Sequence, residues 1–307
     1  MNQLVQTKTC LITGASGGIG LATALDLARR GWRVRIVGRN AAKLAATTAT
    51  LQRVRADVTA FRADFSSLAE VRSLAAQLLA RDEPLHVLIN NAGVWHPEFT
   101  LSRDGFEDTF AVNHLASFLL TQLLLPRMRE TEGDRRVVHV SSRLHVQAGL
   151  MRTLSERAVH FANVIGVPVV GRAGAHLDFD ALERRNGYRG IDAYARSKLA
   201  QVVYSCELAR RERDVTSNAV HPGSVHTDVT RDNRVLAAFA PLARHVLKTP
   251  AQGARTSVYV AQDDAVRGVT GGYFANARAA VPASAVHDRD CAARLWALSC
   301  ERVGSTG

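Results

Sequence analysis

Tyr194 and Lys198, in the stretch Asp192-Ala-Tyr-Ala-Arg-Ser-Lys198, set a phenol and an amine four positions apart, on one face of any helix that holds them. An ammonium beside a phenol favours the phenolate. The pair therefore predicts a phenol pKa lowered from about 10 toward working pH, and a group able to trade protons with a carbonyl or alcohol oxygen. The chain has five tyrosines and four lysines (Lys8, Lys43, Lys198 and Lys248), its remaining positive charge being arginine, so the pairing is not compositional background. Taken alone, the same spacing also fits a solvated helix edge, and the surrounding elements decide.

Those elements are legible along the chain. Thr13-Gly-Ala-Ser-Gly-Gly-Ile-Gly20 follows the apolar run Cys10-Leu-Ile and precedes Leu21-Ala-Thr-Ala-Leu-Asp-Leu-Ala, which reads as strand, glycine turn and helix. Glycines let the backbone approach a pyrophosphate, and a helix N-terminus turns N–H groups and a positive dipole end toward it. The spacing of Gly14, Gly18 and Gly20 departs from G-x-G-x-x-G, and a tight βα turn could carry the same glycines. Strand-like runs near 8–13, 33–38, 58–63, 85–90, 136–141 and 215–220 alternate with helical stretches. The alternation predicts an α/β fold: a Rossmann-type doubly wound parallel sheet with helices on both faces, in a single domain over 1–307.

With this glycine spacing, Asn90-Asn-Ala-Gly93 after Val87-Leu-Ile, and Tyr194-x-x-x-Lys198, the chain resembles the short-chain dehydrogenase/reductase family. Val112-Asn113-His-Leu, Val137-Val-His-Val-Ser-Ser142 and His221-Pro-Gly-Ser-Val-His-Thr227 follow in family order. Ser197-Lys-Leu-Ala, Glu207-Leu-Ala-Arg, Gly272-Tyr-Phe and Ala293-Arg-Leu-Trp296 are similar to its retinol-dehydrogenase-like branch. The resemblance implies hydride transfer between a nicotinamide cofactor and the carbonyl or alcohol of a fairly apolar small molecule. It assigns Tyr194 as general acid and base, and Ser142, in preference to Ser141, as the group orienting the substrate oxygen. Lys198 would lower the phenol pKa and hold the nicotinamide ribose, and Asn113 would hold a relay water.

The resemblance also implies the cofactor contacts. These are Gly14, Ser16, Gly18, Ile19 and Gly20 in the glycine loop, Asn91, Ala92 and Gly93 after the fourth strand, and Asp64 and Phe65 beside the adenine. Pro222, Gly223, Val225 and Thr227 would hold the nicotinamide end, together with Tyr194 and Lys198. Where the second strand ends, an acid would bind the ribose 2′-hydroxyl of NAD, whereas an arginine accommodates the 2′-phosphate of NADP. Here the acidic position is Gly38 and Arg39 follows, so NADP(H) is expected rather than NAD(H). Two other readings are a non-catalytic dinucleotide-binding redox sensor, whose relatives usually lose the tyrosine or lysine, and a nucleotide-sugar epimerase or dehydratase. The latter usually shows Gly-x-x-Gly-x-x-Gly, against which Gly14, Gly18 and Gly20 argue.

The formal charge of +11 invites a nucleic-acid reading, but arginines interspersed with acids, as in Arg210-Arg-Glu-Arg-Asp, read as solvated helix faces, and no nucleic-acid partner is expected. Cys10, Cys206, Cys291 and Cys300 lack the spacing of a zinc site, so no metal is expected. The longest apolar stretch, from Phe118, stops at Pro126, short of the ~20 residues a membrane span requires. A cytoplasmic location without membrane contact is expected, and the resemblance implies a homodimer or homotetramer paired through 106–129 and 192–212. From position 142 to 194 the chain runs 52 residues, more than a simple family member needs, with an inserted segment at about 149–174. There Thr153-Leu-Ser-Glu156 has the form of a capping box, and Leu154, Ala158, Phe161, Ala162 and Ile165 share one helical face that is expected to cover the substrate mouth.

Overall fold

The computed structural model of the chain describes residues 7–54, 56–149, 174–225 and 247–305. In chain order its elements are β1 (Thr9–Thr13), α1 (Gly18–Arg29), β2 (Arg33–Gly38), α2 (Ala41–Arg53), β3 (Val58–Arg62), α3 (Leu68–Leu79) and β4 (Val87–Asn90). A long helix α4 (Asp108–Glu130) follows, interrupted by a π-helical turn at Ala111–Leu115. Then come β5 (Arg136–Val140), a 3-10 turn at Arg143–Gln147, α5 (Gly190–Arg211), β6 (Thr216–His221), α6 (Pro250–Gln262), β7 (Tyr273–Ala275), β8 (Arg278–Ala279) and α7 (Arg289–Val303). The strands form one sheet in the order β3-β2-β1-β4-β5-β6-β7-β8, parallel throughout except for β7 against β8. Strand order reverses between β1 and β4, so their C-terminal ends diverge into the crevice where doubly wound sheets bind ligands.

The apolar strand runs are near-continuous because both faces are covered. Alternate residues point to opposite cores: Leu11, Val37, Leu88 and Val137 enter the core under α3, α4, α5 and α7. Cys10, Ile12, Val34, Ile36, Ile89 and Val138 enter the core under α1 and α6. The six strand runs read from sequence match β1 to β6 to within two residues, whereas β7 and β8 fall below what periodicity can register. Of the stretches expected to pair copies of the chain, 106–129 becomes helical at Asp108.

Among the described residues, α4 alone is long and apolar enough to cross a membrane, and 83% of its apolar window is buried inside the fold. Its outer side is covered by α7. Trp296 packs edge-on to Phe118 with ring centroids 5.3 Å apart, Ser299 Oγ lies 2.8 Å from His114 Nε2, and the Arg211 guanidinium stacks 4.1 Å over Trp296. The parts of α4 and α5 that face α7 are therefore not free for a second copy of the chain.

Candidate active site

The glycine loop closes β1 onto α1. Gly14 takes φ +65°, a backbone region side chains avoid, and a Cβ at Gly20 would meet Gly14 O at 2.5 Å and Asn91 Nδ2 at 2.6 Å. The turn is thus as tight as a backbone can make it. Thr13 locks it to β4: its Oγ1 accepts the N–H groups of Asn91 (3.0 Å) and Ala92 (2.9 Å), while Asn91 Nδ2 donates to Thr13 O at 2.8 Å. Spacing did not single out Thr13 as this hub. At the other end of the loop, Gly17 caps α1 without a side-chain hydrogen bond, whereas Asn40, Ser67, Thr249 and Asp288 cap α2, α3, α6 and α7 with theirs. The first-turn N–H groups of α1 are left to an anion, and a Cβ at Gly17 would meet nothing within 4 Å. A dinucleotide pyrophosphate fits that cradle.

At the end of β2, a Cβ on Gly38 would stand 3.0 Å from Ser16 Oγ and 3.3 Å from Leu44. The acidic side chain of an NAD site has no room there without displacing Ser16, and Arg39 is exposed beside it. Asp64 accepts Ser66 N at 3.1 Å and faces Arg103, while the Phe65 ring is buried in the core, so a ligand alongside would meet the Phe65 backbone. Ile19 and Val225 converge on α6, where a Cβ on Gly253 would meet Val225 at 2.6 Å and Ile19 at 3.3 Å. Pro222 and Gly223 follow β6, with Gly223 at φ +94° against the Lys248 side chain. Thr227 lies outside the described residues.

Tyr194, Lys198, Asn113 and Ser142 come together at the ends of β4 and β5. Ser142 Oγ caps the 3-10 turn by accepting Leu144 N at 3.3 Å and is close enough to the Tyr194 phenol to favour its phenolate. Ser141 Oγ instead donates to Lys198 O at 2.8 Å, anchoring α5 to the sheet. Asn113 lies in the π-helical turn. Its Oδ1 accepts Val94 N at 2.7 Å, and its Nδ2 donates to Val94 O at 3.0 Å and to Ser197 Oγ at 2.9 Å. Gly93 is the close approach between these parts: a Cβ there would lie 3.2 Å from Asn113 Oδ1 and 3.3 Å from Lys198 Nζ.

One electrostatic expectation is overturned. The Tyr194 phenol is not lowered but pushed up to about 12, because burial penalises phenolate more than the nearby Ser142 hydroxyl favours it. Lys198 Nζ lies 5.5 Å from the Tyr194 ring centroid, and it donates to Val140 O (3.0 Å) and Gln201 Oε1 (2.9 Å) rather than to the phenol oxygen. Its own pKa drops to about 7 through burial, which thins the charge it could lend. At neutral pH the phenol is consequently protonated, the state required of a proton donor. A second departure concerns Asn113, whose carboxamide is consumed in tying β4 to α5 and whose carbonyl accepts Gln201 Nε2 at 2.7 Å.

The inserted helix predicted between Thr153 and Gly166 lies outside the described residues. The residues that flank 150–173 are described, and there His176 N donates to Ala148 O at 3.1 Å. His145, adjoining it, is fixed by Ser142 O at 2.8 Å and by Ala283 N at 3.1 Å.

Residues 8–153 match the family model described as short chain dehydrogenase. Retinol dehydrogenase 12 of Mus musculus is 35% identical over 307 residues, covering 99% of this chain and 88% of that protein. Retinol dehydrogenase 13 of Homo sapiens is 34% identical, with 97% and 85% covered. Among solved structures, an uncharacterized protein from Mycobacterium Paratuberculosis superposes with a TM-score of 0.72 at 29% identity, covering 97% of this chain and 94% of that one. A blue fluorescent protein from a metagenomic library, in complex with NADPH, gives 0.63 at 25% identity with 91% and 97% covered.

Proposed function

Because the chain belongs to the short-chain dehydrogenase/reductase family and is an NAD(P)-dependent oxidoreductase, we propose that it moves hydride between NADP(H) and the carbonyl or alcohol carbon of a fairly apolar small molecule. The observation that carries this reading is the convergence of Tyr194, Ser142 and a buried Lys198 at the C-terminal ends of β4 and β5. Bound NADP(H) supplies or accepts the hydride. Tyr194 gives its proton to the carbonyl oxygen during reduction and removes it during oxidation. Ser142 Oγ, already beside the phenol, holds that same oxygen. Lys198 keeps one of its three N–H groups for the nicotinamide ribose, the other two being taken by Val140 O and Gln201 Oε1. The loop of Gly14, Ser16, Gly18, Ile19 and Gly20 would hold the pyrophosphate, with Asn91, Ala92 and Gly93 alongside. Asp64 and Phe65 would border the adenine, and Pro222, Gly223, Val225 and Thr227 the nicotinamide. The test is a panel of ketones, aldehydes and quinones with NADPH, against which an inactive protein that binds NADPH would favour the sensor reading.

Preference for NADP(H) is supported by the crowding at Gly38 and the exposed cation next to it. Arg39→Asp should reverse the preference by about 10²-fold in the ratio of kcat/KM for NADPH over NADH, since a phosphate loses its charge-assisted partner and a ribose hydroxyl gains an acceptor. An unchanged ratio would remove Arg39 from the phosphate site. The burial of α4 accounts for its apolar window within the fold, and fractionation of cells tests the expected cytoplasmic location. A homodimer or homotetramer belongs to the same reading, but through surfaces other than those beneath α7, which light scattering of a Trp296→Ala variant would probe.

A further inference from the structure

Gln201 stands one turn beyond Lys198 on the face of α5 that carries Tyr194, and no part of it is exposed. Its carboxamide joins two groups of the centre: Oε1 accepts from Lys198 Nζ at 2.9 Å, and Nε2 donates to Asn113 O at 2.7 Å. The orientation is fixed by chemistry. Turned over, the amide would aim two N–H donors at an ammonium and an oxygen at a carbonyl oxygen, so both partners enforce the same placement. Ser197, one turn earlier, grips the same asparagine through Asn113 Nδ2 at 2.9 Å. The helix therefore holds the π-helical turn of α4 at two points, and one of them is also the seat of the lysine.

We propose that Gln201 is a positioning residue for Lys198, aiming its amine and holding it in the charged form through a neutral acceptor locked in place by the Asn113 carbonyl. The inference rests on the hydride-transfer reading, in which Lys198 serves Tyr194 and the ribose. A buried ammonium with no hydrogen-bond acceptor would shed its proton, because desolvation favours the neutral amine. Among the described residues nothing else facing it supplies countercharge. Tyr194 is the titratable neighbour on α5 itself, while β5, the β4 exit and the π-helical turn present Val140 O, Gly93 and Asn113. Burial is the cause acting on the lysine, with no carboxylate among the described residues to oppose it. Val140 O and Gln201 Oε1 are then the acceptors that keep it an ammonium. Of the two, Gln201 is the one a substitution can change.

The chain's four lysines make the test direct. In protein labelled at lysine Cε with carbon-13, four resonances titrate, and Lys198→Arg assigns the one of interest. Gln201→Leu should lower the Lys198 midpoint by about one pH unit, and the near-isosteric Gln201→Glu should raise it by about as much. Opposite shifts from two substitutions at one position are beyond a purely structural role. With them, kcat/KM at pH 7 should fall about fivefold in Gln201→Leu, following the charged fraction for a one-unit shift. Midpoints unmoved in both folded variants would overturn the proposal. Should neither variant fold, the wild-type Gln201 side-chain amide resonances must shift with the Lys198 midpoint, and resonances indifferent to it overturn the proposal equally. Failure of the hydride-transfer reading is separately visible: the lysine midpoints would shift as stated in a protein that turns nothing over.

Discussion

Tyr194→Phe should lower kcat by about 10²- to 10⁴-fold on an authentic substrate while leaving the NADPH dissociation constant within about twofold. The substitution deletes a proton donor and its contact with Ser142, and touches none of the groups around the glycine loop. Burial that holds the phenol near 12 makes reduction the easier direction at neutral pH, since the proton is already in place. Oxidation requires the phenolate and should accelerate as pH rises. Stopped-flow binding and steady-state turnover on the same preparation separate the two quantities, and full turnover in the variant would take the acid role away from Tyr194.

The second large effect is on stability in acid. His114, His139 and His221 are buried, and burial pulls each down to about 3, while His86 moves the same way. Among the described residues, His114 Nδ1, His139 Nε2 and His221 Nε2 have no hydrogen-bond partner, so a proton placed there would be an uncompensated interior charge. Folded pKa values lie below the unfolded value of about 6.5, so between those limits the unfolded chain binds more protons. Stability is therefore complete above pH 6.5 and is lost as pH falls toward 3. For three such histidines the loss is about 4 kcal/mol between pH 8 and 5.5, a large share of an ordinary folding free energy. Urea unfolding at pH 8, 6.5 and 5.5 measures it. A flat free energy across that range would mean that these rings are hydrated or charged in the folded protein.

What the residue order revealed about this centre was adjacency rather than environment. Tyr194 and Lys198 had to share a helix face, and the glycine loop had to sit between an apolar strand and a helix, because backbone periodicity dictates both. The direction of the phenol pKa was misread for a physical reason. Spacing brings an amine near a ring, but only the packed structure tells that Nζ turns to Val140 and Gln201 and that the amine is buried. Gln201 was present in the same periodicity, three residues past Lys198, yet a glutamine carries no charge to draw attention to it. β7 and β8 escaped notice because strands of three and two residues have too few positions to alternate.

The hydrogen bond from His176 N to Ala148 O joins the two sides of the chain that flank residues 150–173. Those two sides are fixed to each other, so the distance from Ser142 to Tyr194 across the fold does not depend on what is spliced between them. We expect that replacing 150–173 with a short Gly-Ser linker changes substrate KM and specificity and leaves the NADPH dissociation constant within about twofold, as calorimetry can check. Loss of cofactor binding would show that the two sides of that junction are not independent. Where they are, new substrate preferences can be acquired by exchanging one segment at a two-residue junction, with the proton chemistry inherited untouched.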